Sequence, residues 1–79
     1  MNTDIILKKV EQLIADRYDQ LPCKITLNTK FRRHLNMDSL DIMELVLEVE
    51  KEFNCTITEE ELSTLKRVND LVNVINTKK

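Results

Sequence analysis

The stretch Asp38-Ser39-Leu40-Asp41-Ile42-Met43-Glu44-Leu45-Val46-Leu47-Glu48-Val49-Glu50-Lys51-Glu52-Phe53 decides the fold class. At roughly 100° per residue, Ile42, Leu45, Val46, Val49 and Phe53 fall on one arc of a helix. That arc is the core face of a helix expected over 39–53. Asp38 is a good N-cap, and Asp41 stands at the third helical position, near the positive end of the helix dipole. Leu40, Met43 and Leu47 form a second apolar stripe on nearly the opposite side. Asp41, Glu44, Glu48 and Glu52 fill the arc between the two stripes. One stripe is enough to dock a helix in a small bundle. The second has two readings: the helix is central and buried on both sides, or the strip is left for partners with acids beside it. A chain with so few elements has little material to cover both sides, which favours the partner strip.

Outward from this helix, Ile6, Val10, Leu13 and Ile14 repeat at i, i+4, i+7 and i+8. They mark the apolar face of a first helix over roughly 3–17, with Thr3 or Asn2 able to cap it. Residues 18–37 lack helical period. Pro22, Asn28 and Thr29 read as loop, with Leu21, Ile25, Leu27, Phe31 and Leu35 as anchors and a short helical turn near Thr29–Arg32. A loop this long in a small chain is packed by its own side chains or is functional. A second loop, 54–58, holds Cys55 and Ile57. Thr58 with Glu61 matches a capping box and predicts a short helix from Glu59 to Leu62 or Ser63. Val68, Leu71, Val72 and Ile75 predict a last helix over about 68–75, after which Asn76-Thr77-Lys78-Lys79 should fray. No strand pattern or internal repeat is present. The expectation is all-α: one domain over 1–79, a small bundle of three longer helices plus one short helix, with a long first loop.

Composition narrows the chemistry. The 79 residues contain no glycine, which excludes a P-loop and a dinucleotide fingerprint and argues against an EF-hand, since these need glycine at a sharp turn or close approach. Cys23 and Cys55 fit no metal spacing and read as small core or loop residues in a reducing cytosol. The single histidine, His34, reads as a solvated loop residue. With one histidine and no glycine-lined oxyanion turn, a hydrolase is not expected. Pairs such as Asp38/Asp41 and Glu44/Glu48 could hold a cation only weakly, so no metal site is expected. No apolar run approaches a membrane span, and Met1-Asn2-Thr3-Asp4 lacks the basic start of a secretory signal.

Charge is segregated along the chain. The net charge is −2, yet residues 35–62 carry nine acids against one lysine, a net −8, while 1–34 and 63–79 are each +3. The acidic segment begins beside Ser39. It would repel nucleic acid and attract basic partners, or it is simply a solvated face. The basic ends have no aromatic platform, so no nucleic-acid role is expected. Ser39 stands at a helix start. Such a serine is usually a cap, but the same place suits an attached anionic group.

The run from Leu35 to Val46, continuing through Glu48-Val49-Glu50-Lys51-Glu52-Phe53 to Ile57, resembles the signature helix of acyl carrier proteins. The helix order, the long first loop and the length are also similar. The resemblance implies that Ser39 receives 4′-phosphopantetheine from coenzyme A through a phosphopantetheinyl transferase and Mg²⁺. The arm's thiol would then carry acyl groups as thioesters. The chain would thus be a carrier and not an enzyme. It also implies that Asp38, Leu40, Asp41, Met43, Glu44, Leu47 and Glu48 form the face that meets basic patches on loading and biosynthetic enzymes. The expected setting is a free-standing, monomeric, cytoplasmic carrier of bacterial type, serving fatty-acid synthesis or a specialised acyl pathway. The alternative is an unmodified helical interaction module that uses the Leu40/Met43/Leu47 strip. Asn36 stands where the family usually has glycine, and asparagine tolerates a left-handed backbone. Arg32 and Arg33 stand where acids are common.

Overall fold

Apolar spacing and side-chain caps produce four helices: α1 Thr3–Ala15, α2 Ser39–Phe53, α3 Glu59–Ser63 and α4 Val68–Lys78. The computed structural model describes residues 2–18, 20 and 23–78. Among these there is no strand, only an isolated antiparallel bridge between Lys30 and Arg67. The sequence expectations for Leu21, Pro22 and Lys79 lie outside the described residues.

α1 packs against both α2 and α4. Its face Ile6, Val10 and Ile14 is fully buried, while Leu13 is half-buried at the edge of the core. Asn2 is the cap, its Oδ1 accepting the Asp4 N–H at 2.8 Å. The helix ends at Ala15, earlier than its apolar period suggests. Arg17 and Tyr18 make tighter bonds back to Ile14 and Ala15, and the Tyr18 hydroxyl donates to the Leu35 carbonyl at 2.6 Å. On α2 the whole predicted face is buried: Ile42, Leu45, Val46, Val49 and Phe53. Asn54 closes this helix in the left-handed conformation, with φ 52°. The Thr58/Glu61 capping box starts α3 as its sequence suggests.

The C-terminal helix corrects one expectation. It does not stop at Ile75 but continues through Lys78. The Thr77 hydroxyl donates to the Val74 carbonyl at 2.7 Å, and Lys78 Nζ meets Glu61 at 2.9 Å, so the last turn is tied to α3. The Thr58 N–H, with Lys78 adding to its effect, holds the Glu61 carboxyl below its ordinary range.

The first loop is part of the core. Ile25, Phe31, Leu35 and Met37 are buried and Leu27 packs against them. Its helical turn falls at 31–35 instead of 29–32, with the His34 and Leu35 N–H groups both bonded to the Lys30 carbonyl. His34 is exposed, yet it braces this turn through its Nδ1, which accepts the Lys30 N–H at 2.8 Å. The loop also starts α4. Thr29 and Leu27 carbonyls accept the Val68 and Asn69 N–H groups at 2.9 Å each, bonds that a helix start otherwise leaves unmade. Cys23 and Cys55 are free, half-buried and packed against the core.

Candidate functional site

The geometry around Ser39 follows from its neighbours. Asn36 takes φ 55°, the left-handed turn that directs the chain into α2. Met37 is buried and its N–H bonds the Phe31 carbonyl at 3.0 Å. Asp38 and Asp41 then form a reciprocal capping box. Asp38 Oδ1 accepts the Asp41 N–H at 2.8 Å, and Asp41 Oδ2 accepts the Asp38 N–H at 3.2 Å. The bond from the Asp41 N–H, with a smaller effect of the Arg32 charge, holds the Asp38 carboxyl below its ordinary value. The cap is therefore Asp38, and Ser39 is not needed for it. Ser39 is exposed, and among the described residues its Oγ has one hydrogen bond, from Arg32 Nη2 at 2.7 Å.

Beside the serine, Leu40, Met43 and Leu47 stay 62%, 48% and 54% exposed, so the second stripe of α2 is uncovered. The acidic arc flanks it, with Glu44 and Glu48 exposed and Asp41 half-buried. This arc is not bare. The Arg17 guanidinium lies 3.6 Å from Asp41, 3.5 Å from Glu44 and 4.0 Å from Glu48. Glu52, further along, pairs with Lys9 of α1 at 3.0 Å. Sequence reasoning missed Arg17, because it lies just past α1 with no periodic relation to α2.

On the other flank of Ser39 a groove of about 470 Å³ runs between α2 and α3. Ile42, Met43, Leu62 and Leu65 give it an apolar lining. The basic residues Lys30, Arg32, Arg33 and Lys66 also line it. A more open hollow of about 670 Å³ lies between α1 and residues 24–28, remote in sequence from α2. Among the described residues no group of three or more His, Cys, Asp or Glu is placed to hold a metal ion. None of their helices is long and apolar enough to cross a membrane.

Residues 8–75 match the family model described as "Phosphopantetheine attachment site". The acyl carrier protein of Thermosynechococcus vestitus is 41% identical over 78 residues, covering 99% of this chain and 96% of that protein. The chain belongs to the acyl carrier protein family. Two solved carriers agree in fold. That of Enterococcus faecalis superposes with a TM-score of 0.80 at 30% identity, covering 100% of both chains. That of Thermotoga maritima gives 0.84 at 26% identity, covering 99% of this chain and 91% of the other.

Acyl carrier proteins are carriers and not catalysts, and their prosthetic group is a covalently attached 4′-phosphopantetheine. They work with a phosphopantetheinyl transferase and with biosynthetic enzymes. The residues around α2's first turn suit such a group. An exposed hydroxyl, cations for a phosphodiester and an apolar groove for the stem of an arm occur together.

Proposed function

We propose that Ser39 bears the 4′-phosphopantetheine arm and that the chain carries aliphatic acyl groups for fatty-acid or closely related lipid biosynthesis. One observation carries this reading. The Ser39 Oγ is exposed, free of the helix cap, and opens onto an apolar groove beside an uncovered apolar strip. When bound, the arm supplies a terminal thiol that holds an acyl group as a thioester.

The protein's own residues divide the remaining work. Asp38 caps α2 in place of the serine and so leaves the Oγ outward. Leu40, Met43 and Leu47 offer a small dry patch to partner enzymes, while Asp38, Asp41, Glu44 and Glu48 attract their basic surfaces. A small patch keeps affinity modest and charge speeds encounter, which suits a carrier that must release its partner after each transfer. The lining from Ile42, Met43, Leu62 and Leu65 suits an aliphatic chain better than a charged amino acid.

Co-expression with a phosphopantetheinyl transferase, followed by intact-mass measurement and peptide mapping, tests the site. One arm is expected, on the peptide containing Ser39, and Ser39→Ala should fold but gain none. An arm on the Ser39→Ala protein would overturn the assignment. The acyl species on protein purified from its host tests the cargo, and a loaded amino acid would refute the lipid reading.

A further inference from the structure

The two basic ends of the sequence meet in the fold. Lys30 pairs with Arg67 in the isolated bridge, and the Phe31 N–H donates to the Lys66 carbonyl at 3.1 Å. Asp70 Oδ2 fixes this crossing by accepting the Lys66 and Arg67 N–H groups at 3.0 Å each. As a result Lys30, Arg32, Arg33 and Lys66 all line the groove that Ser39 enters. Gathering four like charges costs free energy unless an anion compensates them. Among the described residues none of the four forms a salt bridge, and the Arg32 charge has only a minor effect on the nearby Asp38 carboxyl. Arg32 is set apart by its bond to the Ser39 Oγ.

We propose that these four cations form a clasp for the phosphodiester at Ser39, with Arg32 as its main donor. The clasp keeps the base of the arm against the groove instead of free in solvent. The inference rests on Ser39 being the attachment site. A guanidinium is planar and offers several N–H donors in a fork that matches two phosphate oxygens. Once Ser39 is esterified its Oγ becomes a poor acceptor, and the charged oxygens on the same phosphorus are better partners for the same donors. The diester also needs a neighbouring cation for a second reason. It joins α2 beside the carboxylates of Asp38 and Asp41, which would otherwise repel it. Lys30, Arg33 and Lys66 extend the positive field along the groove. One exposed ion pair would contribute little, so a cluster converging on one anion is the arrangement expected to work at a surface. Because the clasp is exposed, a partner enzyme with its own cations can draw the arm out.

The test uses the holo protein. Peptide mapping first establishes that the arm is on Ser39; an arm elsewhere defeats the attachment reading itself. With the arm in place, ³¹P transverse relaxation is measured for wild type, Arg32→Met, Arg32→Lys and Lys8→Gln. Lys8 is exposed on α1 and serves as a control for net charge. Arg32→Met should lengthen the relaxation time toward that of free phosphopantetheine. Arg32→Lys should restore part of the difference, and Lys8→Gln should match wild type. High salt should lengthen the wild-type value, a readout that needs no variant to fold. Equal relaxation in wild type and Arg32→Met, or an equal effect of Lys8→Gln, would overturn the clasp.

Discussion

Asp38 accepts the Asp41 N–H at 2.8 Å while its own N–H is bonded by Asp41, so one carboxylate closes the start of α2 and leaves the next hydroxyl free. The folded state lowers the pKa of this carboxyl, because the ionised form is the better acceptor for the Asp41 N–H. Ionised Asp38 therefore adds stability that is complete above the ordinary value of 3.8 and is lost as the pH falls through the lowered folded value. Asp38→Asn keeps an acceptor but removes the charge. It should unfold at a lower temperature than wild type near neutral pH, with the gap closing as the solution is acidified below the ordinary carboxylate range. A gap that persists unchanged into strong acid would contradict this role. Asn36 is the other decisive residue at this scale, since its φ of 55° suits asparagine better than a branched or bulky side chain.

α2 carries three kinds of surface along its length: a buried face, an uncovered apolar strip and an acidic arc. Periodicity made all three legible, because residues that share a helical face are neighbours at i+3 and i+4. What the period could not show is that Arg17 lies across the arc. Its side chain is only 19% exposed and reaches three carboxylates, so it neutralises part of the charge expected to steer partners. Arg17→Met keeps an apolar stem to pack and removes the cation. It should raise the association rate with a basic partner such as the phosphopantetheinyl transferase by a factor on the order of a few at low salt, with the effect shrinking toward physiological ionic strength. Stopped-flow association over a salt series reads this directly. No change at low salt would show that the acids near Arg17 do not guide docking.

At the scale of the whole molecule, the first loop closes the bundle. Phe31 is 1% exposed, and its backbone ties the loop to the segment before α4. Phe31→Ala should therefore cost about 3–5 kcal/mol, as deep core truncations do, measured by denaturant unfolding. A cost within about 0.5 kcal/mol, typical of surface positions, would mean that the loop is not part of the core. The four helices, the buried faces of α2 and α4, the Asp38 cap, the Thr58/Glu61 capping box and the apolar stripe all follow from the sequence alone. Each depends on residues within one or two helical turns of one another, where spacing and side-chain chemistry are sufficient. The extension of α4 to Lys78 is accompanied by the Lys78–Glu61 pair, which no local pattern announces. Likewise, only the tertiary structure placed Arg17 over the acids, Arg32 on the Ser39 hydroxyl, and Lys30 beside Lys66 at one groove. Arg17 and its carboxylates, like Lys30 and Lys66, lie far apart in the chain, and the place of Arg32, which is near Ser39 in sequence, depends on how the first loop packs. The sequence alone marked Ser39 as the residue of interest; the cations around it became a site only when the fold brought the two basic ends together.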